Sequence, residues 1–440
     1  MSEAIKYKTK PFECWEKAKE LRTDNYKEIA TAREKGKLLI SGGTESLISM
    51  PSGLGDYEFL GGEPYGASVS LDPRFAERCA EAAESKGYAR DFCAYARNYI
   101  GSMFLNEYAF GGEFPKPDFC LQTHFCDTHG KWYQIVSEYE KVPYFCVDGF
   151  PFLWDETETS KKLKVDYIVS QLHDAIEWME KVTGRKYDDE KLIEAINNEC
   201  ESTSLWAECC ALNKTIPAPM DEKTMFSFYV IAVLMRQKKK SVEFYRMLRD
   251  EVKDRVENQI AAVSTERCRL LHDSQPPWAF IRIFRYLEKF GVVSVGAHYS
   301  FGLSGGWAKD EDGTWGPAKT PKQRGITLSS RDDALRTLAE WYLGHHTIAR
   351  SLRFSGPGKN GFILDLLKQW HCQGMMIHLN RGCEGGAVGQ MEVRLAALNA
   401  GIPVMTYEGN VADPREFDEA RTMARIEAFM ETLDLKKLTD

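Results

Sequence analysis

Residues 370–390 read WHCQGMMIHLNRGCEGGAVGQ. Met375, Met376, Ile377 and Leu379 form a short apolar run between Gly374 and Asn380-Arg381-Gly382. A buried strand that ends in a tight turn reads this way. Cys383 stands just past that end and is followed by Glu384-Gly385-Gly386. In parallel α/β sheets, ligands bind in the crevice beyond the carboxyl ends of the strands. A thiol here is either a site residue with room beside it for a large group, or a packing residue, since free cysteine behaves as a small buried hydrophobe. The stretch alone leaves both readings open.

A second stretch repeats the placement. Residues 116–131 read KPDFCLQTHFCDTHGK. A strand is expected over 118–125, with Cys126 at its end. Asp127 is placed to cap a following helix that carries Trp132, Ile135 and Tyr139. A helix N-terminus beside Cys126 would lower its pKa. Another strand is expected over 142–147, so strand, helix and strand succeed one another as in a parallel sheet. Upstream, residues 37–41 (KLLIS) read as a strand ending in Gly42-Gly43-Thr44-Glu45, without the spacing of a dinucleotide fingerprint. Glu45 at that end is either a first-turn helix acid or a site residue. Asp72-Pro73 opens a helix with Phe75, Cys79 and Ala83 on one face. In the next helical stretch, DFCAYARNYIG from residue 91, Cys93 has Arg97 one turn on. That charge would favour a thiolate; a core cysteine on an amphipathic helix is the other reading.

From residue 161 to 265 the pattern is helical. Val165, Ile168, Val169, Leu172, Ile176 and Met179 recur at helical spacing, as do Val242, Tyr245, Leu248, Val252, Val256 and Ile260. Strand signals return at 267–271 (RCRLL), 292–295 and 402–407 (IPVMTY), with a helix over 279–290. Residues 302–322 read as a long loop, and 330–352 as helical. The run Arg236, Lys238-Lys239-Lys240 reads as a solvated helix end rather than a phosphate contact. Gly356-Pro357-Gly358-Lys359-Asn360 looks like a phosphate loop but lacks its Gly and Ser/Thr positions, so no ATP site is expected. The fold class is therefore α/β: two parallel-sheet lobes flanked by helices, with a helical region between them. The expected division is N-terminal helices plus the first lobe over 1–160, a helical bridge over 161–265 and the second lobe over 266–440.

At 440 residues the chain is too long for one ordinary core. Its 43% hydrophobic and 28% charged residues are those of a soluble globular protein. A net charge of −8 argues against a broad nucleic-acid footprint. The first residues show no secretory signal, and no apolar run is long enough for a bilayer, so a cytoplasmic protein is expected. The 12 cysteines include no C-x-x-C pair, which leaves zinc ribbons and thioredoxin-type motifs unsupported. Without secretion they are no disulfide scaffold either, and they fit a reducing, anaerobic cytosol.

Cys93, Cys126 and Cys383 are scattered in sequence but placeable in one crevice. Four thiolates complete a [4Fe–4S] cluster; three leave one iron open to water or a substrate oxygen. Cys126 and His129, a C-x-x-H pair, leave a structural zinc site as a plainer alternative. Three stretches then carry a resemblance: DFCAYARNYIG, PDFCLQTHFCDTHGKW and HLNRGCEGGAVGQ. The tail GIPVMTYEGNVADPREFDEARTMARIEAFMETL joins them. Over nearly its whole length the chain resembles the 2-hydroxyacyl-CoA dehydratase / benzoyl-CoA reductase superfamily, and within it the B subunits of the ATP-dependent reductases.

The resemblance implies one [4Fe–4S] cluster held by Cys93, Cys126 and Cys383, and a heterodimer with a related cluster-bearing subunit. It also implies separate ATP-hydrolysing iron–sulfur activator subunits, ferredoxin as electron source and an acyl-CoA substrate, with no nucleic acid or membrane involved. The implied reaction reduces the aromatic ring of benzoyl-CoA to a cyclohexadiene-carboxyl-CoA in anaerobic aromatic degradation. The first electron is the hard one because it breaks aromaticity. The thioester carbonyl can hold the resulting charge while a nearby donor protonates the ring. His124, His378 and Glu45 are the candidate proton or carbonyl partners by their strand-end placement. Two other readings stay open: a subunit of a 2-hydroxyacyl-CoA dehydratase that recycles one electron, and a subunit that only relays electrons or scaffolds its partner.

Overall fold

Eight strands build two parallel four-stranded sheets. The computed structural model describes residues 5–43, 47–149, 152–351 and 356–438. The first sheet holds β1 (Leu38–Gly42), β2 (Tyr57–Gly61), β3 (Phe119–Thr123) and β4 (Tyr144–Val147) in the order β2-β1-β3-β4. The second holds β5 (Cys268–Asp273), β6 (Val292–Ala297), β7 (Gly374–Asn380) and β8 (Val404–Gly409) in the order β8-β7-β5-β6. Every pairing within them is parallel. The two parallel-sheet lobes expected from the sequence are therefore present. Strands covered on both faces read as continuous apolar runs, which is why LLIS and MMI were legible.

The strand orders matter for function. In each sheet the chain goes outward on one side, then returns to the centre and goes outward on the other. The first sheet switches direction between β1 and β3, the second between β5 and β7. A ligand crevice opens beyond the carboxyl ends of the strands at such a switch point. Cys126 follows β3 and Cys383 follows β7, so each sheet places one cysteine at its own switch point.

Four long helices, Glu158–Thr183, Asp189–Ala211, Glu222–Met235 and Lys239–Glu257, lie in sequence between the two sheets. Among the described residues, no helix is long and apolar enough to cross a membrane. Two expectations change. The stretch expected as a long loop contains an antiparallel hairpin, Trp307–Lys309 with Trp315–Pro317, pinned by two buried tryptophans. The helix expected over 279–290 is broken into a short turn, Trp278–Phe280, and the helix Ile283–Glu288.

A buried ionic knot ties the lobes together. Arg97, fully buried on the Ala94–Leu105 helix, donates to Asp413 beyond β8 and to Glu84, at 2.9 Å each. Arg415 also donates to Asp413 and Glu84. Burial alone would push the Asp413 carboxyl up, but together Arg415 and Arg97 hold it below the usual carboxylate range. A depressed native pKa stabilises the fold above the unfolded value of about 3.9 and stops doing so as pH falls through the native value. Asp413→Asn is accordingly expected to cost about 1.5–3 kcal/mol near neutral pH, since it leaves the buried Arg97 guanidinium with Glu84 as its remaining carboxylate. Denaturant titrations of both proteins should show that gap closing in acid; a gap that does not change with pH contradicts the assignment.

Candidate active site

Three helices begin at cysteines. Cys93 is the N-cap of Ala94–Leu105, Cys126 of Asp127–Glu140 and Cys383 of the short turn Glu384–Ala387. All three line one cavity of about 60 Å³. The strand ends deliver Cys126 and Cys383; a glycine brings Cys93 to them. Gly382 has φ +73°, and a Cβ there would meet the Asp91 carbonyl at 3.0 Å and the Phe92 carbonyl at 3.3 Å. Only glycine lets the turn after β7 pack so closely on the backbone leading into Cys93.

The three cysteines stand where the free backbone N–H groups of a helix start lie, and of the three Cys383 is the one whose sulfur takes a capping hydrogen bond. Gly386 N donates to Cys383 Sγ at 3.3 Å and Gln275 Nε2 at 2.9 Å. Ala96 and Tyr95 N–H groups act on Cys93, and His129 N–H on Cys126. Burial nevertheless dominates. It pushes the Cys93 thiol up to about 12 and raises Cys126 and Cys383 as well. Bare, the three are therefore protonated thiols. Among the described residues, no three His, Cys, Asp or Glu side chains are grouped to grip a single metal ion. Three soft sulfur donors, each at a helix start, fit an iron–sulfur group, whose positive irons reverse the penalty that burial places on thiolates.

Around the sulfurs the cavity is lined by Glu63, Tyr95, Phe125, His129, Gln275 and Tyr299, among others. Glu63 follows β2 in the first turn of Gly62–Val69. Its carboxylate makes a very short contact with His129 Nε2. Both are buried. Tyr95 accepts from Trp278 Nε1 at 2.5 Å, and its hydroxyl lies 3.3 Å from that of Tyr299.

The residues named from sequence fall into different places. Cys93, Cys126 and Cys383 come together. His124 is partly exposed between Asp148 (3.2 Å) and Asp127 (3.5 Å) and does not line the cavity. His378 is fully buried in the second sheet, stacked on Tyr407, with Nδ1 donating to the Gln275 carbonyl at 2.6 Å. Burial lowers its pKa to about 3. It stands behind Gln275 and so supports the Cys383 wall from outside the cavity. Glu45 lies outside the described residues. Arg97, expected to favour the Cys93 thiolate, is instead committed to Asp413, Glu84 and the Phe92 carbonyl. His129 of the C-x-x-H pair turns its Nε2 to Glu63.

Glu63 and Tyr299 were not anticipated. The signal for Glu63 is YEFLGGE, a short apolar run between glycines followed by an acid, the same pattern as at Cys383. Tyr299 follows the expected strand at 292–295 by a few residues.

A family model described as 2-hydroxyglutaryl-CoA dehydratase, D-component, matches residues 60–433. The (R)-2-hydroxyisocaproyl-CoA dehydratase alpha subunit of Clostridioides difficile is 27% identical over 423 residues, 95% of each chain. The (R)-phenyllactyl-CoA dehydratase alpha subunit of Clostridium sporogenes is 25% identical over 85% of this chain and 84% of its own. The benzoyl-CoA reductase B subunit of Thauera aromatica is 25% identical over 96% of this chain and 94% of its own.

Proposed function

Because the chain belongs to the 2-hydroxyglutaryl-CoA dehydratase D-component family, we propose that it is a catalytic subunit whose Cys93, Cys126 and Cys383 hold a [4Fe–4S] cluster beside an acyl-CoA. The observation that carries this reading is the convergence of three helix-capping cysteines on one cavity. Members of the family carry such a cluster. The relatives are named as alpha or B subunits, which implies heteromeric complexes. The partners proposed here are a related subunit, ATP-hydrolysing activator subunits and ferredoxin.

When bound, the cluster supplies single low-potential electrons and one iron free of protein sulfur. The chain's own residues do the rest. Tyr95, Phe125 and Tyr299 line the cavity, where they would exclude water and pack against an acyl group. The Glu63–His129 pair holds a proton at the cavity wall. There it can protonate a reduced ring or exchange a proton with a β-carbon made acidic by the adjacent radical. Gln275 fixes the Cys383 sulfur.

The finer reading is reduction of benzoyl-CoA to a cyclohexadiene-carboxyl-CoA, supported by the long motif resemblance and the aromatic lining. Dehydration of a 2-hydroxyacyl-CoA is the second reading, favoured by the names of the dehydratase relatives. One experiment separates them. The complex is assembled anaerobically with activator, ATP and reductant, then offered benzoyl-CoA and 2-hydroxyisocaproyl-CoA separately. Mass spectrometry reads a gain of two hydrogens for ring reduction and a loss of one water for dehydration. If neither thioester binds this complex, the catalytic reading fails and an electron relay remains.

Glu63→Gln keeps the shape of the side chain but removes the carboxylate that faces His129. It is expected to lower kcat about 100-fold or more with iron content unchanged. An equal loss of iron would mean that Glu63 supports the fold instead.

A further inference from the structure

Lys359 breaks two local rules at once. It lies in the first turn of the Pro357–Gln369 helix, where the helix dipole disfavours a cation. It is also only 3% exposed, and a buried ammonium is costly unless paired. Its Nζ donates to the Val388 carbonyl at 2.8 Å, and Asp273 is the main opposing charge acting on it. The stretch GPGKN that carries it has the look of a phosphate loop for a packing reason. A Cβ at Gly358 would meet Trp154 Cβ at 2.3 Å, so the glycine seats the helix start against that side chain while the lysine turns inward.

Lys359 and Asp273 line a second cavity of about 20 Å³, together with His298, Gln390 and Gly386. Gln275 and Tyr299 line both this cavity and the thiol cavity, so the two share a wall. In that wall, Gln275 Nε2 and Gly386 N are the groups that donate to Cys383 Sγ. Asp273 Oδ2, His298 Nε2 and Gln390 Oε1 are buried with no hydrogen-bond partner. These three atoms make the second cavity polar. Lys359 and Cys383 thus line the two cavities on either side of the Gln275 wall, close enough for the charge of each to act on the other. In so dry a setting a charge acts strongly at short range.

We propose that the buried charges of Lys359 and Asp273 set the reduction potential of the iron–sulfur group held by Cys93, Cys126 and Cys383. The inference rests on the reading that these cysteines hold such a group. Reduction adds one negative charge. A cation behind Cys383 stabilises the reduced state more than the oxidised one, and a carboxylate beside that cation opposes it. Lys359 and Asp273 are thus positioning residues that act through the Cys383 wall.

The test is an EPR-monitored redox titration of the anaerobic complex, with iron and sulfide measured on every variant. Lys359→Met is expected to lower the reduced-to-oxidised ratio about tenfold at the wild-type midpoint, a shift of about 59 mV for one electron. Lys359→Arg should restore the wild-type ratio, and Asp273→Asn should raise it. A fully loaded Lys359→Met protein with the wild-type midpoint overturns the inference. If that variant does not load, Asp273→Asn decides alone, and an unchanged ratio overturns it equally. Wild-type protein without iron would instead refute the ligand reading, and this inference with it.

Discussion

Serine at Cys93, Cys126 or Cys383 is expected to remove most of the iron, while serine at Cys120, Cys146 or Cys372 leaves it in place. Iron and acid-labile sulfide per chain, on protein purified anaerobically with its partner subunit, read the outcome. Wild type should carry about four of each. The contrast between the two sets is physical. The first three line one cavity from the starts of helices. Cys120 and Cys372 are buried packing residues, Cys146 is half-buried, and none of the three lines that cavity. A hydroxyl is a poor substitute for a thiolate toward iron but close to it in size, so loss of iron with an intact fold isolates ligation. If the control variants lose iron and the first three keep it, the ligand assignment is wrong. Zinc in place of iron would revive the plainer reading of Cys126.

Gly101→Ala is expected to destabilise the protein by about 3 kcal/mol or more, at or beyond the top of the usual over-packing range. Gly101 lies on the Ala94–Leu105 helix, against the Pro73–Ser85 helix. A Cβ there would stand 1.9 Å from the Cys79 carbonyl oxygen and 2.7 Å from its Cα. The obstacle is backbone, so no side chain can rotate away and the helices must part. That same helix is capped by Cys93, so iron retention should fall together with thermal stability. Denaturant midpoints and iron content on one preparation check both. A variant within about 0.5 kcal/mol of wild type, the range of an innocuous surface change, would show that these helices do not pack as described.

Much of this was legible because period and punctuation agree. MMIHL and KLLIS are short apolar runs closed by glycine, and each became a strand; Cys383 stands beyond the end of the first. The strand Tyr57–Gly61 was missed; Glu58, its second residue, leaves only a short apolar run in it, and a charge there argues against burial. The structure resolves the conflict by placing Lys37 and Lys238 on that carboxylate, at 2.8 and 2.6 Å. Such pairing joins segments far apart in the chain and leaves no local trace. Missing β2 also meant missing Glu63, which owes its position to that strand's end. The pull expected from Arg97 on Cys93 failed for a similar reason. Helical spacing gave its distance in sequence, but Asp413, 316 residues away, decided where its charge went. Cys93 was placed within a helix, whereas it caps one. Boundaries shift by a residue or two easily, and here that shift changes which N–H groups reach the sulfur.

Two helices of the first lobe, Ala94–Leu105 and Asp127–Glu140, supply Cys93 and Cys126; the turn after β7 of the second sheet supplies Cys383. On the proposed reading, neither lobe alone can house the metal group. A ribosome emits Cys93 and Cys126 long before Cys383, so an unfinished chain offers two sulfurs and no complete seat. Maturation then has an obligatory order: synthesis, closure of the lobes, and only afterwards the arrival of iron. The reverse holds in decay. On the same reading, losing the irons would also remove a link between the halves and leave a looser chain for proteases.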